Sequence, residues 1–351
     1  MISVPDSSMS AIDDAVRAAM SKLACRALPR GASALALIDA ATRAAAGGKR
    51  FRPALVVAAF EAFGGDADST PGLWDVAAAF ELLHTAFVIH DDLIDRDTER
   101  RGEPNVGGTF RARARAHGID EPEAGRIGDA AAVLAGDILL YEATRLVAMA
   151  DVPAAVRSAL FSLLDDAVLV SALGELADVE QAMTPDEPDT AHLLSTAHDK
   201  TAVYSFCAPL AAGAALAGAD EGDRALLIAA GADLGLAFQL VDDLIGTFGD
   251  EKQAGRISGA DLREAKRTPL IALARDSAAW PQVSTALALA PTGPVAIQAA
   301  QRELDASGAR ERLVTLIGHT LGSVRRRIAE LPDPPRTLIE DITTAIEGRI
   351  P

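Results

Sequence analysis

Two long apolar stretches with helical periodicity, about Trp74 to Ile94 and Glu221 to Thr247, each carry a cluster of aspartates. The first holds Asp91, Asp92 and Asp95, the second Asp242 and Asp243. A helix that is apolar around most of its circumference has to be packed on most sides, and carboxylates caught in such packing are costly unless something neutralises them. At about 100° per residue, Asp91 and Asp95 point in nearly the same direction with Asp92 beside them. Oxygen ligands grouped in this way suit Mg²⁺, which keeps several waters and is commonly shared between carboxylates and the phosphates of a ligand. The chain is thereby constrained to a helical body with two acidic patches that need cations.

The composition agrees. Apolar residues make up 49 % of the 351 residues, mostly Ala, Leu and Val, and aromatic ones only 4 %, which favours packed helices over sheets. Helical spacing also covers about Ala11 to Leu28, Ala32 to Ala46, Pro53 to Phe63, Gly128 to Ala150, Ala154 to Gln181 and His192 to Gly218. It resumes over Asp261 to Ala279, Ala296 to Leu304, Glu311 to Glu330 and Thr337 to Glu347. Pro209 should kink its helix, and Arg96 to Gly108 reads as a polar loop. No break is long enough for a free linker and no alternating strand pattern intervenes. Residues 1–351 therefore read as one all-α domain, with residues 1–10 expected to be the least ordered.

The formal net charge of −17 excludes a nucleic-acid partner, whose footprint is basic. No run of about 18 uncharged apolar residues and no basic, then apolar, leader is present, so a cytoplasmic protein without a membrane span is expected. Cys25 and Cys207 match no zinc spacing and read as buried thiols.

An anionic ligand must then be caught by local cations. Gly47-Gly48-Lys49-Arg50-Phe51-Arg52-Pro53 ends one helix and starts the next, and amides at a helix start beside Lys49 and Arg52 make a diphosphate cradle. A basic turn that only caps and solubilises is the competing reading of that string, and Arg100-Arg101-Gly102 is equally ambiguous alone. His84 stands seven residues before Asp91, almost two turns along the same helix face. Lys200-Thr201, Arg256 and Lys266 add cations that no local pattern explains. No Ser-His-Asp or Cys-His arrangement suggests a protein nucleophile.

Taken in order, these strings resemble the trans-prenyltransferases, the polyprenyl synthetase family that includes farnesyl and geranylgeranyl diphosphate synthases. The resemblance runs through Gly47 to Pro53, Glu81-Leu82-Leu83-His84-Thr85, His90 to Asp95, Arg100-Arg101-Gly102, Leu134-Ala135-Gly136-Asp137, Lys200-Thr201, Phe238 to Asp243 and Asp261 to Lys266. It implies an isoprenoid-synthase-like helical bundle around a central cavity, working as a homodimer. It also implies that Asp91, Asp92, Asp95, Asp242 and Asp243 hold three Mg²⁺ at the diphosphate of an allylic substrate (dimethylallyl, geranyl or farnesyl), helped by Arg100, Lys200 and Lys266. Gly48, Lys49, Arg52, His84 and Arg101 would bind isopentenyl diphosphate, and Thr201 and Gln239 would lie beside the reacting carbons. Ala86 and Phe87 would set product length, one small and one bulky residue suggesting geranylgeranyl diphosphate.

Three departures from the family pattern stand out. Gly246 replaces the third aspartate of the second motif, with Asp250 a weak substitute one turn on; Arg256 stands where a lysine is usual, and Glu175 where a glutamine is. Two other functions remain open at this level: a terpene cyclase of the same fold, which needs no second diphosphate site, and a non-catalytic partner subunit, which the Gly246 change would fit.

Overall fold

The computed structural model describes residues 4–184, 189–250, 253 and 258–351. It is helical almost throughout. Its contacts group the chain into two compact units: Ser3–Leu164 with Ala212–Ala219, and Asp165–Ala211 with Asp220–Pro351.

In the first unit α1 (Asp6–Ala27), α2 (Ala32–Ala45) and α3 (Phe51–Ala62) lead to α4 (Gly72–Ile94), the carrier of the first acidic motif. Helix α1 begins at Asp6, inside the segment expected to be least ordered, because Pro5 starts it and Ser8 and Ile12 are buried by its first turns. Helix α4 buries a residue at nearly every position from Leu73 to Ala86, packing on α1, α3 and α6 (Glu121–Met149). Glu121 and Glu123 in the first turn and the Asp120 carboxylate, which accepts from the Glu123 amide, start α6 seven residues earlier than apolar spacing indicates.

The stretch read as a polar loop is instead a two-stranded hairpin, β1 (Glu99–Arg100) and β2 (Glu103–Pro104), followed by α5 (Val106–Ala116). Arg101 and Gly102 form its two-residue turn with φ of 57° and 80°, the left-handed pair that matches strand twist. Asn105 caps α5 by accepting from the Gly108 amide at 2.8 Å.

In the second unit α7 (Ala154–Met183), of which only the part from Asp165 belongs here, is followed by α8 (Thr190–Ala197), a π-helical stretch His198–Cys207 and the start of α9 (Ala208–Leu216), whose residues from Ala212 belong to the first unit. The departure from α geometry ends at Cys207, and Pro209 lies in the first turn of α9. Helix α10 (Glu221–Phe248) carries the second motif and packs on the π-helical stretch and on α15 (Ala309–Arg327). Between them come α11 (Ala260–Arg263), α12 (Pro269–Arg275), α13 (Trp280–Leu289) and α14 (Pro294–Ala306), and α16 (Asp333–Glu347) follows. The single helix expected over Asp261 to Ala279 is broken after Arg263, and Pro269 restarts the chain at a helix N-terminus.

Helices α4 and α10 are long and apolar enough to cross a membrane by length and composition; 72 % of the most apolar window of α4 and 44 % of that of α10 are buried within the protein. Their burial and their aspartates fit core helices that carry a site.

Only one of the cysteines is buried. Cys207 is enclosed, and burial pushes its thiol up to about 12; Cys25 is exposed on α1, correcting the expectation of two buried thiols. A thiol-specific chromogenic reagent should therefore label one cysteine in the native protein and the second only in denaturant. Labelling of both at similar rates would contradict this packing.

Candidate active site

In the first unit α4 delivers His84, Phe87, Asp91 and Asp92 along successive turns, and Asp95 lies one residue beyond its end. Asp92 is 5 % exposed, while Asp95 is open to solvent. The hairpin returns Arg100 to this patch: its Nε donates to Asp92 Oδ1 at 2.7 Å, and its Nη2 lies 3.4 Å from Asp91 Oδ2. Burial raises the Asp92 carboxyl above its ordinary range, opposed by the Arg100 hydrogen bond and charge and reinforced by Asp91. Two carboxylates thus share one guanidinium, and the patch retains an affinity for further positive charge.

The hairpin turn also places Arg101. Side chains at Gly47 and Gly48 would meet the Arg101 guanidinium at 3.9 and 3.7 Å, so Arg101 lies over a loop kept open by two glycines with φ of 70° and 85°. Gly48 and Lys49 are exposed there, and Arg52 follows half-buried at the start of α3. His84 adjoins this group. Burial, then the charges of Arg52, Arg100, Arg101 and Arg50, hold its imidazole well below the usual range and hence neutral. Of the chain-length pair, Phe87 is half-buried whereas Ala86 is fully buried in the core.

Sequence reasoning gave Arg50 no role. It is 6 % exposed, has a left-handed backbone (φ 49°, ψ 37°), and directly precedes α3. Its guanidinium binds Glu81 Oε1 at 2.7 Å, Asp13 Oδ1 at 2.8 Å and the Ala45 carbonyl at 2.8 Å. The glycine loop is thereby tied to α4 one turn before His84.

In the second unit Gly235 on α10 lets Ala202 of the π-helical stretch pack against the α10 backbone, and Gly231 does the same for Cys207. That close approach sets Thr201 beside Gln239. The Thr201 hydroxyl donates to Gln239 Oε1 at 3.1 Å, and Gln239 Nε2 donates to Asp243 Oδ1 at 3.1 Å. Both ends of the amide are therefore engaged. π-Helical turns of this kind recur at functional sites. Lys200 pairs with Asp178 at 2.8 Å and with Glu175 at 3.0 Å, so the unusual Glu175 supplies a counter-charge.

Asp243 is 8 % exposed, and burial, with the charges of Asp261 and Asp242, pushes its carboxyl up to about 8. Asp242 is held by Arg349, whose Nη2 donates to Oδ1 at 2.5 Å while its guanidinium lies 4.6 Å from the Phe238 ring centre. Lys266 lies 3.7 Å from Asp261 and 3.2 Å from Glu264. Asp250 does not join these acids: it is exposed and caps the Gln253 amide at 2.8 Å. Arg256 lies outside the described residues.

Among the described residues no three His, Cys, Asp or Glu side chains converge closely enough to cage a metal ion by themselves. The donor chemistry still fits Mg²⁺. It is all oxygen, it is short of positive charge at Asp243, and Mg²⁺ fills much of its octahedron with water and phosphate.

Known proteins are similar to this chain in sequence and in fold. The geranylgeranyl diphosphate synthase of Mycobacterium tuberculosis is 37 % identical over 267 residues, 76 % of this chain and 69 % of that protein. That of Sulfolobus acidocaldarius is 32 % identical over 227 residues, 64 % of this chain and 62 % of that protein. These alignments thus span about two thirds of each relative's length. The crystal structure of a geranylgeranyl pyrophosphate synthase from Corynebacterium glutamicum, complexed with isoprenyl diphosphate and magnesium, superposes with a TM-score of 0.88 at 28 % identity, covering 98 % of this chain and 99 % of that one. Residues 36–300 match the family model of the polyprenyl synthetases, and with three quarters of its length under that match and its acidic and basic motifs in order, the chain belongs to the polyprenyl synthetase family.

Proposed function

We propose that this protein is a trans-isoprenyl diphosphate synthase that condenses isopentenyl diphosphate with an allylic diphosphate, most of its product being geranylgeranyl diphosphate. One observation carries the reading: a single unit holds both an acidic patch and a basic one. Asp91 and Asp92 need a metal to meet a diphosphate, whereas Gly48, Lys49, Arg52, Arg101 and a neutral His84 can grip one directly. An enzyme that only cyclises an allylic diphosphate has no use for the second patch.

In this mechanism Asp91, Asp92 and Asp95 of the first motif and Asp242 and Asp243 of the second would hold magnesium, three ions serving one allylic diphosphate. Bound magnesium supplies the positive charge that stabilises the departing diphosphate. Arg100, Lys200 and Lys266 add fixed cations at the same leaving group. Thr201 and Gln239 place their oxygens beside the electron-poor carbon, Gln239 being aligned by its bond to Asp243. Apolar side chains such as Phe87 keep water from the allylic cation, and the proton lost after the new C–C bond forms passes to the released diphosphate. No protein nucleophile takes part.

The two units are proposed to work as one domain in a homodimer. Leu169, Leu173 and Leu176 form an exposed stripe on α7, and Leu134 and Tyr141 are exposed on α6; apolar faces of this sort favour association with a second copy.

Purified protein incubated with Mg²⁺, isopentenyl diphosphate and each allylic primer should form longer prenyl diphosphates. Turnover of the primer without isopentenyl diphosphate would favour a cyclase, and no turnover with any primer would favour a partner subunit. Product length gives a finer test. Phe87 stands one turn before Asp91 on the helix along which the tail would extend by about 5.4 Å per turn, so Phe87→Ala should shift the dephosphorylated products to longer chains. An unchanged chromatogram would remove Phe87 as the floor.

A further inference from the structure

Lys200 and Lys266, two cations assigned above to the allylic diphosphate, stand on different segments of the second unit, and one arginine joins those segments. Arg267 follows Lys266 directly. Its Nη1 donates to the Gln181 carbonyl at 2.6 Å and to the Thr184 carbonyl at 2.9 Å. These oxygens lie in the last turn of α7 and just beyond it, where carbonyls lack partners along the helix and a cation is favoured by the helix dipole. Arg267 therefore binds the end of α7.

The same end of α7 is bound to the segment that leads to Lys200. Gln181 and Thr196 are each 6 % exposed, and Gln181 Nε2 donates to Thr196 Oγ1 at 2.5 Å. Thr196 is on α8, which runs directly into the π-helical stretch. Two turns earlier on α7, Gly174 lies so close to Lys200 that a Cβ there would fall 2.4 Å from the Lys200 amide nitrogen. Glu175 and Asp178 on the same helix hold the Lys200 ammonium. Helix α7 thus fixes Lys200 through both backbone and side chain. Lys266 is set by a tight loop, its amide donating to the Asp261 carbonyl at 3.0 Å after Ala265 with φ of 53°. Helix α12, which Pro269 starts, packs on α8.

We propose that Arg267 is a positioning residue for the reaction: by tying the loop of Lys266 to the end of α7, it holds Lys266 and Lys200 in one register, so that both cations meet the same diphosphate. The inference rests on the function proposed above and deepens it at the allylic side. It gives a role to a residue that lies outside every acidic and basic motif of the sequence. The Arg267 guanidinium is engaged by carbonyls, so its effect passes through α7.

Steady-state kinetics of Arg267→Gln, with each substrate varied in turn and a melting curve alongside, tests this. KM for the allylic primer should rise about tenfold while KM for isopentenyl diphosphate stays within about twofold, because Gly48, Lys49, Arg52 and Arg101 belong to the first unit. Arg267→Lys keeps a cation at the helix end and should recover most of the loss. Thr196→Val cuts the joint between α7 and α8 at nearly constant shape and should give the same one-sided change; it carries the test if Arg267→Gln fails to fold. Equal rises in both KM values, or a lowered melting temperature with the parent's kinetics, would show that Arg267 only stabilises α7. Either result overturns the proposal and leaves the proposed function intact. A parent protein that joins isopentenyl diphosphate to no allylic primer would overturn both.

Discussion

Asp91→Ala should lose about 10²–10³-fold in kcat, the scale of removing one fixed stabiliser of transition-state charge, while the fold stays intact. The reason lies in what surrounds the carboxylate. Asp91 is 31 % exposed at its side chain and sits 3.4 Å from an Arg100 that already has the closer Asp92, so its removal leaves no buried charge unpaired. A surface-type pair of this kind contributes at most about 1 kcal/mol to stability. Incorporation of labelled isopentenyl diphosphate, read beside a melting curve, separates the two effects. Raising the Mg²⁺ concentration should recover part of the rate, as the proposed role of Asp91 in holding magnesium requires. A variant with activity within tenfold of the parent would show that the first motif does not carry the chemistry.

Asp92→Ala makes an instructive contrast, because the neighbouring acid is buried and bonded to Arg100. Its removal should cost activity and stability together, since Arg100 would lose its main partner in a partly buried place.

The acidic and basic clusters were legible because each is written in consecutive residues on a strongly periodic helix or at a glycine punctuation. Trp74 to Ile94 differs from the observed α4 only by two residues at its start. Helix α5 was not legible, for a physical reason. Its Gly107 and Gly108 look like loop residues, yet a side chain at Gly108 would collide with the Thr98 carbonyl, and α5 approaches α6 so closely that a Cβ on Gly128 would meet the Gly107 backbone. Packing overrides helix propensity there. The hairpin escaped notice because each strand is two residues long and Arg101, rather than Asn or Asp, takes the left-handed position before Gly102.

The site residues that the local pattern could not yield are those fixed by contacts distant in sequence. Arg349 reaches Asp242 from 107 residues away, and Asp261 lies against Gly246 from another element. Nothing in the neighbourhood of either residue signals the partner. Asp250, which spacing suggested, is instead consumed by a turn. Spacing along one helix identifies which positions share a face, but it gives no account of what a neighbouring segment lays upon that face.

Arg50 illustrates the same limit, and its replacement should have the largest effect on stability in the first unit. The Arg50–Glu81 pair is buried on both sides, at 6 % and 8 % side-chain exposure, and Arg50 also satisfies the Ala45 carbonyl. Arg50→Ala leaves Glu81 charged and without this partner inside the protein, a change that costs about 3–5 kcal/mol. Arg50→Lys should recover only part of the loss, because an ammonium cannot span Glu81, Asp13 and the carbonyl as a planar fork does. Substituting both members, Arg50→Met with Glu81→Leu, removes the stranded charge and should return most of the stability. That double variant should nevertheless have a raised KM for isopentenyl diphosphate, since the glycine loop is no longer tied to α4 beside His84. Chemical denaturation gives the first quantity and steady-state kinetics the second. If the double variant regains stability and keeps the parent KM, then the pair serves packing alone and the loop is positioned by other contacts.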